Sequence, residues 1–200
     1  MALVAVAPLV VHYPTLLAQA LIFGLLAAAF NLLLGELGFL SFGQAIFNGL
    51  GAYAAGLLLI HVAHAPMLIA LVLAGFCGAI GASIVGFLAS RGIGVYAVML
   101  TFAFNQLAFY LAFQLRGITG GDNGLRGVPR PGLFGLRLDD SVAYYYFVGA
   151  VFLIVFYLLL RIVDAPFGHV LRAIRENEPR ARAIGYDTRR FKVVAFIISG

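Results

Sequence analysis

The feature that most limits how this chain can fold is the near absence of charge from its first 90 residues. Glu36 is the one Asp, Glu, Lys or Arg in that stretch, and over the whole chain 63% of residues are hydrophobic and 10% are charged. A soluble domain carries about 25% charged residues, and it does not expose so large an apolar surface to water. The sequence therefore predicts a protein that folds in a lipid bilayer.

Long, continuous apolar runs predict an all-α, polytopic membrane protein with one transmembrane domain over residues 1–200. A spanning helix needs about 20 apolar residues. The last segment, "FKVVAFIISG", begins a sixth span, and because a half-span would leave backbone groups unpaired in lipid, we expect the natural chain to continue. The five complete spans that we predict are 15–34, 37–62, 66–90, 93–115 and 141–160.

The basic residues of the loops predict how these spans are oriented. Residues 161–192 contain eight Lys or Arg, whereas the long loop 116–140 contains four. Because cytoplasmic loops are the richer in Lys and Arg, we predict that 161–190 is cytoplasmic and that 116–140 is extracytoplasmic. Counting back through the spans places Arg91 and Gly35–Glu36 inside and the N-terminus outside.

The second apolar run contains "GELGFLSFGQAIFNGLGAYAAG", which is rich in glycine and interrupted by polar residues. Each glycine lowers helix stability by about 1 kcal/mol, and membranes tolerate broken helices only where these are buried in protein or line a cavity. We predict a broken span that either lines a translocation path or packs tightly through interhelical hydrogen bonds. The candidate path residues in it are Ser41, Gln44, Asn48 and Gly49.

Two other features lie deep in apolar runs. Asn105 and Gln106 form an adjacent polar pair near the centre of the fourth span, where they either face a path or bond to a neighbouring helix. Gly78, Ala82 and Gly86 recur every four residues and predict a close contact between helices.

Charge is concentrated instead in "GHVLRAIRENEPRARAIGYDTRRFK", residues 168–192, which hold seven basic and three acidic side chains. Pro166 suits a helix start, Asn177 can cap a second helix, and Gly185 suits a helix end. We predict two short amphipathic helices on the membrane surface, with their arginines outward. Their predicted apolar faces are Phe167, Val170, Leu171 and Ile174, then Ala181 and Ile184.

Three interpretations of this loop are open. It could bind anionic lipid headgroups, it could simply satisfy the preference for positive charge inside, or it could dock a cytoplasmic protein. The mixed signs of charge over 175–182 favour a protein partner, because an anionic leaflet repels carboxylates.

The sequence contains little that indicates enzyme chemistry. It lacks the phosphate-binding motif G-x-x-x-x-G-K-[ST] and a plausible Ser/His/Asp set. His61 and His64 have no third metal ligand nearby, and Cys77 stands alone. The basic residues lie between apolar runs, which argues against a nucleic-acid partner. We therefore predict no catalytic site, metal or cofactor.

Four blocks of sequence occur in the order "GELGFLSFGQAIFNGLGAYAAGLL", "RGIGVYAVMLTFAFNQLAF", "TGGDNGL" and "APFGHVLRAIRENEPRARAIGYDTRRFKVVAFIISG". In sequence and order they resemble the LivM-type permeases, the membrane subunits of branched-chain amino-acid ABC importers. The resemblance covers about 15–200 of this chain.

The resemblance implies a multi-pass permease of the bacterial inner membrane that moves branched-chain or related amino acids inward. Its implied partners are a LivH-like second permease subunit, two cytoplasmic ATPase subunits and an extracytoplasmic solute-binding protein. A coupling helix in the cytoplasmic loop would contact the ATPase, where ATP is hydrolysed. An ABC permease for urea or amides is an alternative, and a stand-alone channel or secondary transporter is another.

The resemblance also assigns residues. Only part of the E-A-A-x-x-x-G motif of ABC importers is present before Gly185, and Gln106 stands where many relatives have an acid. We expect Ile174→Asp or Gly185→Pro to uncouple transport, and Gly49→Leu to block it. The implied coupling-loop residues are Arg172, Ile174, Arg175, Glu176, Asn177, Glu178, Ala181 and Gly185. The implied extracytoplasmic motif is Thr119, Gly120, Gly121, Asp122, Asn123 and Gly124.

Overall fold

The computed structural model describes residues 13–62, 66–92, 94–129 and 141–200, and within these ranges the chain is helical without a β-strand. A π-helical turn, Leu32–Glu36, extends the first helix, and a 3₁₀ turn, Gly121–Asn123, follows the short fifth helix. The α-helices of the described ranges are α1 Pro14–Asn31, α2 Gln44–His61, α3 Met67–Ala89, α4 Val95–Gln114, α5 Arg116–Thr119, α6 Ser141–Asp164, α7 Pro166–Ala183 and α8 Thr188–Ser199.

Among the described residues, four helical stretches are long and apolar enough to cross a membrane: Pro14–Glu36, Met67–Ala89, Val95–Gln114 and Ser141–Asp164. The predicted count of five complete spans and the start of a sixth is therefore not confirmed. The second predicted span is the one that falls short, because α2 contains Gln44 and Asn48 and is preceded by a stretch that is not helical. The N-terminal residues 1–12, predicted to be extracytoplasmic, are not among the described residues.

The interruption predicted in the second apolar run is confirmed and lies at residues 37–43. The chain can turn there because Gly38 has a φ of +71°, and a Cβ on it would lie 2.6 Å from Cγ of Arg175. Two of the freed backbone N–H groups find side-chain acceptors. Phe42 donates to Oγ1 of Thr101 at 3.1 Å, and Gly43 donates to Oγ of Ser41 at 3.2 Å.

Helix α3 packs between α2 and α8, and α1 packs against α6. Small residues allow α3 and α8 to approach closely. A Cβ on Gly86 would lie 2.5 Å from Cβ of Phe196 in α8, and Ala82 is fully buried. The close helix contact predicted from Gly78, Ala82 and Gly86 is thus confirmed, with α8 as the partner.

The main buried core lies towards one end of the bundle, which we call the basic end and define as residues 35–43, 87–92 and 161–192. Glu36 pairs there with Arg172, and the guanidinium groups of Arg91 and Arg189 both lie over the ring of Phe87. These contacts put Gly35–Glu36, Arg91 and the charged loop together, as the loop charges predict. Which side of the membrane they face stays a prediction.

Candidate transport site and coupling segment

A cavity of about 270 Å³ lies between α2 and α4, and the turn after α5 contributes to its lining. It brings together residues that are distant in sequence: Gly49 of the broken second run, Asn105 of the fourth span, and Gly121 of the predicted extracytoplasmic motif. The other lining residues are Ala45, Ile46, Leu50, Tyr53, Ala108, Phe109, Ala112 and Phe113. We call this space the α2–α4 cavity.

The α2–α4 cavity has an apolar wall with few polar groups. Asn105 is partly buried, and among the described residues its side chain has no hydrogen-bond partner. Among the described lining residues, Tyr53 is the other one with a polar side-chain group, and none is charged. A space of this kind can hold a small solute whose polar groups are met by an amide, a hydroxyl and backbone groups.

The predicted path residues do not all face this cavity. Gln44 and Asn48 line a second cavity of about 420 Å³ on the other side of α2, between α1, α6 and α8. Nε2 of Gln44 donates to Oγ of Ser199 at 2.5 Å, and that hydroxyl donates to the carbonyl of Ala29 at 2.7 Å. Of the two alternatives predicted for this run, a translocation path or packing through interhelical hydrogen bonds, Gln44 fits the second.

The predicted path residues are divided between two cavities because of the geometry of the α-helix. Residues four apart in an α-helix share a face, whereas adjacent residues do not. Gln44 and Asn48 are therefore on one side of α2, and Gly49 is turned towards α4. The same rule separates Asn105, which lines the α2–α4 cavity, from Gln106, which is exposed.

Sequence reasoning missed Thr101, which is fully buried and joins α4 to the break in the second run. Its Oγ1 accepts from the backbone of Phe42 and donates to the carbonyl of Val98 at 2.8 Å. The signal was present, because Thr101 and Asn105 are four residues apart and define one polar face of α4. Ser41 is buried too, and its hydroxyl holds the turn before α2.

The predicted extracytoplasmic motif folds as a compact turn around Thr119. Its buried Oγ1 donates to the carbonyl of Leu115 at 2.9 Å and accepts from the backbone of Gly121 at 3.3 Å. Asn123 accepts a hydrogen bond of 2.7 Å from Nη2 of Arg126, and Asp122 is exposed. Positive φ angles occur at Gly120, Gly121 and Gly124. Residues 130–140 of the same predicted loop lie outside the described residues.

The two short helices predicted for the charged loop are confirmed as the halves of α7. Asn177 has φ −157° and ψ 90°, which divides α7 into 166–176 and 178–183. Its Oδ1 accepts from the backbone N–H of Arg180 at 2.9 Å, so it caps the second half as predicted. Gly185, with φ +100°, ends that half, and the N–H of Tyr186 donates to the carbonyl of Ala181 at 3.2 Å.

The apolar face of the first half is confirmed, with Val170, Leu171 and Ile174 in the core and Phe167 against it. The face predicted for the second half is half wrong. Ala181 is buried, but Ile184 is 67% exposed, because it follows the last helical turn and points away from the bundle.

The prediction that the arginines face outward is wrong for Arg172, which is partly buried. Nε of Arg172 lies 2.7 Å from Oε2 of Glu36, and its Nη2 donates to the carbonyl of Val163 at 2.8 Å. Nη1 of Arg175 donates to the carbonyl of Gly35. Arg175 stays exposed while it makes this bond. Both side chains reach the end of the π-helical turn because it offers a carboxylate and a carbonyl.

Glu178 links the second half of α7 to α8. Its carboxylate lies 2.8 Å from Nζ of Lys192 and 2.7 Å from Nη2 of Arg182, and it accepts from Oγ1 of Thr188 at 3.0 Å. Burial by itself would raise the pKa of this carboxyl. The hydrogen bond and charge of Lys192, together with the bonds from Thr188 and Arg182, hold the pKa below its ordinary value. The carboxylate is therefore ionised at neutral pH.

Long apolar helices, a cavity between two of them and a charged, kinked helix at one end define a multi-pass helical membrane protein. A family model described as branched-chain amino acid transport system / permease component matches residues 13–200, and the chain belongs to that family. The resemblance seen in the four sequence blocks is thereby confirmed. Membership places the chain among transport permease components, which are not enzymes.

Two curated relatives carry the same description. The chain is 28% identical to the high-affinity branched-chain amino acid transport system permease protein LivM of Escherichia coli (strain K12), over 98% of this chain and 53% of that protein. It is also 28% identical to LivM of Salmonella typhimurium (strain LT2), over 90% of this chain and 48% of that protein. The chain thus spans about half the length of the curated relatives it matches. No solved structure matches it.

Proposed function

We propose that this chain is a transmembrane permease subunit of an ABC importer that moves branched-chain or related amino acids inward, with ATP hydrolysed on a separate subunit. The family match and the names of the two relatives support the transport system and the solute class. The proposed partners are a second, LivH-like permease subunit, two cytoplasmic ATPase subunits and an extracytoplasmic solute-binding protein. Residues 1–200 form one permease domain in the inner membrane, with the basic end cytoplasmic and the N-terminus and loop 116–140 outside.

The observation that carries the coupling proposal is the way α7 is tied to three other helices. Its first half is joined to the end of the first span by Arg172 and Arg175, and it follows α6 directly. Its second half is joined to α8 by Glu178. A force on α7 therefore reaches α1, α6 and α8 together, and α8 packs on α3.

A surface for the ATPase remains free on the second half of α7 and the turn after it. Residues 182–187 are exposed, and they include two large apolar side chains, Ile184 and Tyr186, beside the exposed Arg180 and Arg182. An apolar centre with a charged rim is the usual composition of a protein interface. We assign this surface, rather than the buried Ile174, to contact with the ATPase.

The solute path is assigned to the α2–α4 cavity. Its 270 Å³ lies just below the range of about 300–1,000 Å³ that is typical for drug-sized ligands, so it suits a small solute. Its wall of Ile46, Leu50 and Phe109 suits a branched apolar side chain, and Asn105 offers an amide to the polar end. The apolar wall favours an amino acid with a hydrocarbon side chain over urea, which has no apolar part.

Reconstitution tests the proposal. The intact protein, assembled with its second permease subunit and ATPases in proteoliposomes, is expected to take up labelled leucine only when ATP and the binding protein are supplied. Ile184→Asp should abolish this uptake and release the ATPase from the purified complex. Ile118→Asp, the same change at another exposed isoleucine in α5, should retain the ATPase. Uptake driven by an ion gradient alone, or an ATPase bound equally by both variants, would contradict the proposal.

A further inference from the structure

A second charged feature of the basic end is a cavity of about 760 Å³. It lies where the end of α3 meets the second half of α7 and the first turns of α8. Of the residues that the structure describes, four basic side chains and one carboxylate line it. The lining residues are Ser90, Arg91, Gly92, Glu178, Pro179, Arg182, Arg189 and Lys192. We propose that this basic cavity binds the phosphate of an anionic phospholipid headgroup.

Two of these four cations have no counter-charge in the part of the chain that the structure describes. Cζ of Arg189 lies 4.4 Å from the centroid of the Phe87 ring, and Cζ of Arg91 lies 4.7 Å from it. Within the described residues, neither guanidinium forms an ion pair or a hydrogen bond. Nε and Nη2 of Arg189 are buried without a partner. Like charges held on one ring repel each other, and an anion beside both would remove that repulsion.

The acid of the cavity is not available to these two arginines. The two oxygens of Glu178 are taken by Lys192, Arg182 and Thr188. Those contacts also neutralise the carboxylate that lines the cavity, so it does not repel an anionic headgroup there. The charge left facing the cavity is positive, and a phosphate, with several acceptor oxygens, can satisfy more than one guanidinium.

The surface that leads to the cavity favours a lipid over a soluble anion. Ile80, Ile84 and Phe87 are exposed on one stripe of α3, at intervals of four and three residues, and this stripe runs to Arg91 at the end of the helix. An acyl chain can lie along such a stripe while its headgroup reaches the basic cavity. Basic pockets between helix ends at the membrane surface bind anionic headgroups in this way.

The test is lipid retention by the intact protein. Purified protein is incubated with phosphatidylglycerol or phosphatidylcholine in detergent, and the bound lipid is counted by native mass spectrometry. We expect selective retention of phosphatidylglycerol, and about tenfold weaker retention by the variant with both Arg91→Gln and Arg189→Gln. Arg190→Gln is the matched control, because its side chain is 86% exposed and pairs with Asp187 outside the cavity. It should retain the lipid as the unmodified protein does.

Each other outcome overturns the proposal. Equal loss in the control variant would mean non-specific attraction. Displacement of the lipid by equimolar inorganic phosphate would identify a site for a soluble anion. Loss of the ATPase from the double variant with phosphatidylglycerol retention unchanged would make the cavity a protein contact. Thermal unfolding in phosphatidylcholine nanodiscs verifies that the double variant is folded. The measurement needs neither ATP nor solute, so its failure would leave the proposed transport function standing.

Discussion

The α2–α4 cavity and the coupling segment of α7 are built by different kinds of interaction. The ends of the α7 halves are set by bonds between near neighbours in sequence: Asn177 caps the amide three residues later, and Gly185 closes the helix end. The cavity is shaped by Gly49, Asn105 and Gly121, which lie on three separate elements. Local hydrogen bonding thus builds the part proposed to move, whereas packing at a distance builds the part proposed to hold the solute.

The largest effect is expected from a charge placed in the core beneath α7. Ile174 is 4% exposed, so Ile174→Asp should destabilise the fold by about 3–5 kcal/mol, the range for an uncompensated buried charge. Ile184→Asp, at a site that is 67% exposed, should leave stability close to that of the unmodified protein.

Thermal unfolding of both variants in detergent measures this difference. If Ile174→Asp were as stable as Ile184→Asp, the first half of α7 would not be anchored in the core. The coupling segment would then be a loose surface helix, and the contrast with the packed cavity would disappear.

The next largest effect is expected on transport, from filling one of the two cavities that lie on opposite sides of α2. A Cβ on Gly49 would have no heavy atom within 4 Å, and the same holds for Gly75, which lines the second cavity with Gln44. The first carbon of a side chain therefore meets open space at either position. Gly49→Leu should fill the α2–α4 cavity and lower the uptake rate about tenfold or more, equivalent to roughly 1.4 kcal/mol in the barrier.

Uptake assays on Gly49→Leu and Gly75→Leu, with thermal unfolding to verify equal stability, decide between the two cavities. We expect transport to survive Gly75→Leu. The reverse result would move the solute path to the side of α2 that faces α1, α6 and α8, and the convergence of Gly49, Asn105 and Gly121 would be a packing feature.

The smallest effect is electrostatic and depends on pH. The pKa of Glu178 is lowered in the fold from its ordinary value of 4.5, so the ionised carboxylate stabilises the protein above that pH. This stabilisation is lost as the pH falls through the folded-state pKa. Because the group is partly exposed, Glu178→Gln should lower the free energy of unfolding by only about 1 kcal/mol at neutral pH.

Unfolding curves recorded across the acid range test this prediction, and those of Glu178→Gln and the unmodified protein should converge at low pH. Glu176→Gln is the control, because Glu176 is exposed and has no ion pair among the described residues. A difference that persisted in acid would show that Glu178 acts through packing or neutral hydrogen bonds instead of charge.

The features predicted correctly share a physical basis in short-range information. They are the uncharged runs long enough to span lipid, the glycines before α2, and the cap at Asn177. Each depends on residues close together in sequence, so each can be predicted from the sequence. The predicted number of spans is not confirmed, because Gln44, Asn48 and the break at 37–43 lower the hydropathy and shorten the helix of the second run.

The features that were missed depend on which surfaces meet. No local sequence pattern predicts that Arg172 pairs with Glu36, that Thr101 accepts from Phe42, or that Gln44 bonds to Ser199. Each pair is separated by more than fifty residues, and each side chain has an equally reasonable alternative in solvent or on a neighbouring helix. Only packing selects one partner, because it fixes the distance and direction between the two helices.

The sequence thus determined that this protein folds in a lipid bilayer, that it is helical, which family it belongs to, and that the helix at its charged end is kinked. Those properties follow from hydropathy, capping and motifs that are written in consecutive residues. The tertiary structure alone decided which polar residues line a cavity, which arginines reach the first helix, and which two have no counter-charge among the described residues. Those outcomes depend on helix faces brought together across the bundle, and a linear pattern contains no distances of that kind.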